Sequence, residues 1–198
     1  MKRPTIVLAF CTAVLGCCPD AYAAISIGAA EEAQLTAGQV LVEAHLDDAK
    51  DAAAVSAVMD IPAAREKVWA IMTDCERAPR FVPDLKSCRV VERDPSGAWD
   101  VREHIIDWTW LLPDVRNVFR SDYDPPHILR FRRVDGDLKL SEGEWRLEPL
   151  NGGSGTRVFY DALLSPKSWI PASFALSSVR SDVPNILRAL RRECLAAQ

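Results

Sequence analysis

The chain has 198 residues, a formal net charge of −4, and 48% hydrophobic against 26% charged residues. That length fits one domain, the composition is globular, and the lack of a basic excess argues against nucleic acid as a partner. The longest largely apolar run, Ile6–Cys18, has 13 residues, short of the roughly 20 that a membrane-spanning helix needs.

The first 23 residues read as a signal peptide. Lys2 and Arg3 form a positive n-region, Ile6–Gly16 an apolar h-region, and Ala21-Tyr22-Ala23 a small-x-small cleavage site before Ala24. Val14-Leu15-Gly16-Cys17 also looks like a bacterial lipobox, which would make a lipidated Cys17 the first mature residue. Either way the expected location is periplasmic. Cleavage before Ala24 would leave 22 basic and 27 acidic residues, a charge of −5. It would also leave three cysteines, Cys75, Cys88 and Cys194. An odd count allows one pair and a free thiol, or no pair. A Cys75–Cys88 bridge would span a Pro-rich turn and add about 3 kcal/mol by loop entropy. Cys-x-x-Cys is absent and no His stands at ligand spacing, so no metal and no cofactor are expected.

Residues 24–38 are Ala-rich and predict a tail or a short helix, ahead of a domain over 39–198. Gln39–His45 and Ala54–Ile61 read as strands, forming a hairpin or one strand interrupted by an acidic loop. Ala63–Thr73 carries an apolar stripe at helical spacing, and Pro79 and Pro83 then force a turn. Six strands follow, at Ser87–Arg93, Trp99–Trp108, Val115–Tyr123, Ile128–Val134, Lys139–Leu147 and Thr156–Leu164. Their separators have turn chemistry, among them Asp94-Pro-Ser-Gly, Asp124-Pro-Pro and Asn151-Gly-Gly-Ser-Gly, and their shortness implies antiparallel hairpins. Ser181-Asp182-Val183-Pro184 predicts the start of a last helix, and Val179, Val183, Ile186, Leu187, Leu190 and Cys194 form one apolar stripe. Arg188, Arg191 and Arg192 lie largely off that stripe and read as a solvated face.

This order predicts an α+β fold in which a curved antiparallel sheet closes over a long C-terminal helix. Asp60-Ile61-Pro62 followed by Val68-Trp69 resembles the opening of START-like helix-grip domains, the SRPBCC superfamily. Thr73-Asp74, Pro79, Phe81 and Pro83 resemble the turn of the same group, and Asp182 through Leu190 its closing helix. That group includes polyketide cyclase/dehydrase-like and coenzyme Q-binding START-domain proteins. The resemblance covers roughly residues 54–195 and implies a deep hydrophobic cavity between sheet and helix. It carries over no catalytic residue.

The aromatic residues Trp108, Trp110, Phe119, Tyr123, Phe131, Trp145, Tyr160, Trp169 and Phe174 are the candidate ligand-binding set, because such cavities are lined by aromatics with polar handles. Trp169-Ile170-Pro171 precedes the last helix and reads as a packed loop or a gate. His104 stands in a strand whose two faces each mix polar and apolar residues, so pattern alone leaves its direction open. A satisfied or solvent-facing histidine is the expected reading, and an inward acid–base group the alternative. Arg116, Arg130, Arg132 and Arg133 are expected to make cross-strand ion pairs rather than to hold a ligand head group. No Gly-x-Ser-x-Gly and no phosphate loop is present. The leading expectation is an exported protein that binds a hydrophobic small molecule or lipid without chemistry, with peripheral membrane contact. A cyclase or dehydratase using the same cavity and an envelope adaptor are the alternatives. An inward acid–base group beside a second polar group favours the former, an exposed apolar patch the latter.

Overall fold

Period-two alternation between short polar turns builds the sheet strand by strand. A computed structural model describes residues 25–107, 114–167 and 171–196. Its strands are β1 (Val40–Asp47), β2 (Ala52–Ile61), β3 (Leu85–Arg93), β4 (Trp99–Ile106), β5 (Val115–Asp124), β6 (Ile128–Gly136), β7 (Leu140–Leu150) and β8 (Gly155–Ser165). They form one sheet in the order β1-β2-β8-β7-β6-β5-β4-β3, with every neighbouring pair antiparallel. The helices are α1 (Ala29–Thr36), α2 (Arg65–Met72), α3 (Ala78–Phe81) and α4 (Ala172–Ala196). The chain makes the β1–β2 hairpin and crosses through α2 and α3 to the far edge. It then meanders back until β8 pairs with β2. This is the expected helix-grip arrangement, and the sheet stays unclosed, with β1 and β3 as its edges.

Bulges bend it. The register skips Lys86 and Val91 in β3, and Val134 in β6 opposite Val118 and Phe119; an unpaired residue kinks a strand and raises its twist. The concave face then wraps α4. Val55, Ala57 and Met59 of β2 meet Val179, Val183, Leu187, Leu190 and Cys194 of α4 in one buried core. Alanines at 53 and 57 let the helix approach closely. Each large apolar side chain buried there contributes about 1.5–3 kcal/mol.

The helices and the arginines of α4 differ from expectation in three places. First, α4 begins at Ala172, so Pro184 lies inside it rather than at its start. Pro184 removes a helix hydrogen bond and costs about 3 kcal/mol. The stripe, expected from Val179 onward, nevertheless extends upstream to Ala175, and its burial offsets that cost. Second, Pro79 does not only end a helix: it occupies the first turn of α3, where its missing N–H is tolerated. Third, Arg191 is not solvated like its neighbours. Its Nη1 donates to the Gly38 carbonyl at 3.1 Å, and Arg180 Nη2 donates to the Ala44 carbonyl at 2.8 Å.

Residues 29–36, expected as tail or short helix, form α1, which buries Leu35 and anchors Glu32. Arg157 holds both Glu32 and Asp60, at 2.8 Å to each. On the convex face Arg116 pairs with Glu103 and Asp135, Arg130 with Glu144, and Arg132 with Asp122. Arg133 instead donates to the Gly136 carbonyl at 3.2 Å. Cys75 and Cys88 are disulfide-bonded with Cα atoms 5.4 Å apart, tying the α2–α3 turn to β3. Cys194 is a buried free thiol, pushed up to about 11 by burial.

Gly143 is required by close approach. A Cβ there would sit 2.2 Å from the Asp161 carbonyl oxygen and 2.7 Å from the Phe131 ring. Gly143→Ala should therefore lower stability by about 1–3 kcal/mol through overpacking, read as a shift in urea midpoint with an unchanged slope.

Candidate ligand-binding site

Between the concave face, α3 and α4 lies an inner chamber of about 180 Å³. One side of its wall is an aromatic relay carried on adjacent strands. Tyr160 (β8) tilts against Trp145 (β7) with centroids 4.4 Å apart and stacks on Phe131 (β6) at 6.3 Å. Phe131 meets Phe119 (β5) edge-on at 6.1 Å, and Phe119 meets His104 (β4) edge-on at 4.8 Å. The relay follows from the pleat, because these positions share the concave face once the register is set. Phe81, Leu129 and Ile186 close the chamber from other sides.

The other wall is polar. On β4 the concave face carries Asp100, Arg102 and His104, and on β5 it carries Asn117 and Ser121. Arg102 is 7% exposed and Asp100 2%. Arg102 Nε donates to Asp100 Oδ1 at 2.9 Å and its Nη2 to Oδ2 at 3.0 Å, while Nη2 also reaches the Thr73 carbonyl at the end of α2 at 2.6 Å. Burial, with the Arg102 charge close by, pushes His104 down to about 4, so the imidazole is neutral at pH 7. Its Nε2 is buried without a hydrogen-bond partner. Asn117 Nδ2 donates to Ser141 Oγ at 3.3 Å, and its Oδ1 is buried and unpartnered. His104 is thus neither satisfied nor solvent-facing. A β4 face that mixes charge with apolar residues is inward because its charges neutralise each other.

A second chamber of about 340 Å³ lies beside the first, along the N-terminal half of α4. The two share Val82, Tyr160, Leu164 and Ile186 in their walls. The outer chamber is apolar through Ile106, Val115, Leu138 and Val179, with Asp84, Asp107 and Asp182 among its lining residues. Burial raises the Asp182 carboxyl above its ordinary range, with Asp84 adding to the effect and a 2.8 Å bond from Ser181 opposing it. Asp107 is paired with Lys86 at 3.2 Å.

The candidate aromatics divide accordingly. Phe119, Phe131, Trp145 and Tyr160 line the inner chamber, and Tyr160 and Phe174 the outer one. Tyr123 lies elsewhere, in a pocket of about 250 Å³ under α2 with Trp69 and Trp99. It shares the concave face, but at the far end of β5, and burial pushes its hydroxyl well above the usual phenol range. Trp108, Trp110 and Trp169 lie outside the described residues. Asn117 and Ser141 carried no signal in the sequence, since single polar residues in strands read as solvent-facing. Among the described residues no three His, Cys, Asp or Glu side chains converge as metal ligands, and no helix is long and apolar enough to cross a membrane.

A family model described as polyketide cyclase/dehydrase and lipid transport matches residues 61–191. No curated protein matches the chain. Among solved structures, a STAR-related lipid transfer protein from Xanthomonas axonopodis superposes with a TM-score of 0.69 at 17% identity, covering 79% of this chain and 93% of its own. The Zhui aromatase/cyclase from a Streptomyces species gives 0.61 at 14%, covering 79% and 94%. A protein from Thermus thermophilus gives 0.61 at 25%, covering 72% and 97%.

Proposed function

Because the chain belongs to the polyketide cyclase/dehydrase and lipid transport family, we propose that it is an exported carrier that holds a hydrophobic small molecule or lipid between its sheet and α4. The observation that carries this reading is the relay of Tyr160, Trp145, Phe131 and Phe119 along one wall of the inner chamber. Such walls give affinity by removing apolar ligand surface from water, about 25 cal/mol per Å² before the costs of binding. The unpartnered Asn117 Oδ1 and neutral His104 favour a ligand whose inner end is a neutral hydrogen-bonding group over one that is ionised. The half-exposed Phe174 at the outer chamber gives loading and release a surface for peripheral membrane contact.

Export rests on the Lys2-Arg3, Ile6–Gly16 and Ala21-Tyr22-Ala23 pattern, with lipidation at Cys17 as its variant. The Cys75–Cys88 bond is in keeping with an oxidising compartment such as the periplasm.

A second reading is a cyclase- or dehydratase-type enzyme in the same chamber. The observation behind it is that His104, Arg102 and Asn117 converge on the chamber, where a neutral imidazole can hydrogen-bond and orient a substrate group, while burial and the Arg102 charge make it a weak base. Fold likeness does not choose between the two, because one architecture hosts unrelated functions.

The test is to express the full chain in a bacterial periplasm, purify it without detergent, extract with organic solvent and run mass spectrometry on extract and protein. A stoichiometric lipid or isoprenoid is expected. An empty extract, with no binding of lipids added back, would remove the carrier reading and leave the enzyme. The intact mass also reports whether the mature chain begins at Ala24 or at a lipidated Cys17.

A further inference from the structure

Among the described residues, Arg102 is the single one common to the walls of the inner chamber and of the pocket under α2. The two cavities lie end to end along the same lane of the concave face. Going along β4, His104 and Arg102 line the chamber, and Arg102 and Asp100 line the pocket. Going along β5, Phe119 and Ser121 line the chamber and Tyr123 the pocket. At the end of α2, Met72 lines one and Thr73, the residue after the helix, lines the other.

The guanidinium stands across this lane. It is fixed at one side by two bonds from Nε and Nη2 to Asp100, and at the other by the bond from Nη2 to the Thr73 carbonyl. It therefore closes the gap between the sheet and the end of α2. A charged group is well suited to this task. A buried ion pair with its hydrogen bonds made is rigid, and moving it aside would strand two charges in a poorly solvated space. Beyond it, Trp69 and Tyr123 meet edge-on at 6.1 Å, so the pocket has the same aromatic character as the chamber.

We propose that Arg102, latched to Asp100 and to the Thr73 carbonyl, is the end wall of the ligand chamber and sets the longest ligand the protein accepts. The pocket under α2 is the continuation of the chamber, shut off by this one side chain. The consequence for ligands rests on the carrier reading; the wall itself does not.

The probes are unbranched primary alcohols of increasing chain length, titrated against the full mature protein. The wild type should show affinity rising with length and then falling at a cut-off. The double variant Asp100→Ser/Arg102→Ala removes both charges together, so no lone charge is left behind. Its cut-off should move up by about five carbons, the length that fits in roughly 7 Å, two residues of strand. Arg102→Lys keeps the charge and shortens the reach to Thr73, so a smaller shift in the same direction is expected; it decides the matter if the double variant does not fold. An unmoved cut-off in a folded variant overturns the proposal. If no alcohol binds either protein, the carrier reading falls, and a crystal structure of the variant still decides the wall. Chamber and pocket joined in one channel sustains it, and a lane closed by other side chains overturns it.

Discussion

Lowering the pH from 7 to 4 should remove about 3 kcal/mol of folding stability through His104 alone, the equivalent of its displacement from 6.5 to about 4. In the unfolded chain the imidazole takes a proton as the pH falls through its ordinary value. In the folded protein it stays neutral down to about 4, because burial and the Arg102 charge oppose protonation. Over that window the unfolded state binds more protons, so stability rises with pH and is lost as pH falls; above pH 7 the contribution is flat. Chemical denaturation of wild type and His104→Gln at both ends of the window isolates the effect, since other groups cancel in the difference. A wild-type-minus-variant difference that does not change with pH would show that His104 takes its proton equally readily in the folded and unfolded states.

Arg102→Met should be the most damaging single substitution in the site. It leaves Asp100, 2% exposed, without its cation, and removing one member of a buried pair costs about 3–5 kcal/mol. It also frees the Thr73 carbonyl, which now accepts from Nη2 at 2.6 Å. Adding Asp100→Ala should recover part of the loss, because the stranded charge goes with it. A double-mutant cycle in urea measures this as a non-additive term. Equal additive losses would mean that the two side chains do not depend on each other.

Much of the architecture was legible in the sequence. Turn residues such as Asp124-Pro-Pro and Asn151-Gly-Gly marked the hairpins, and strand positions followed within a few residues. The start of α4 was not legible, since Pro184 at a first turn and Pro184 inside a helix look alike in one dimension. Tertiary burial of Ala175 and Val179 decides between them. The aromatic relay was partly legible as a supply of aromatics; which of them meet depends on register, which put Tyr123 beyond Arg102. The polar wall was illegible for a physical reason. Pattern reading assigns charge to the wet face, whereas Asp100 and Arg102 are buried because they satisfy each other, and that pairing exists only after β4 has been placed against α2.

The open sheet leaves two exposed rims at which a neighbouring molecule's strand would add. Along β3, Lys86, Arg89, Glu92 and Arg93 are solvent-exposed charges, which an incoming strand would have to desolvate. Near β1 the fold uses a different device: Arg180 and Arg191 reach from α4 and occupy the carbonyls of Ala44 and Gly38. The helix that closes the chamber thereby also protects a sheet edge against self-assembly. On the carrier reading, loosening α4 to load a ligand would release both contacts, so loading and protection of that edge would compete for the same two arginines.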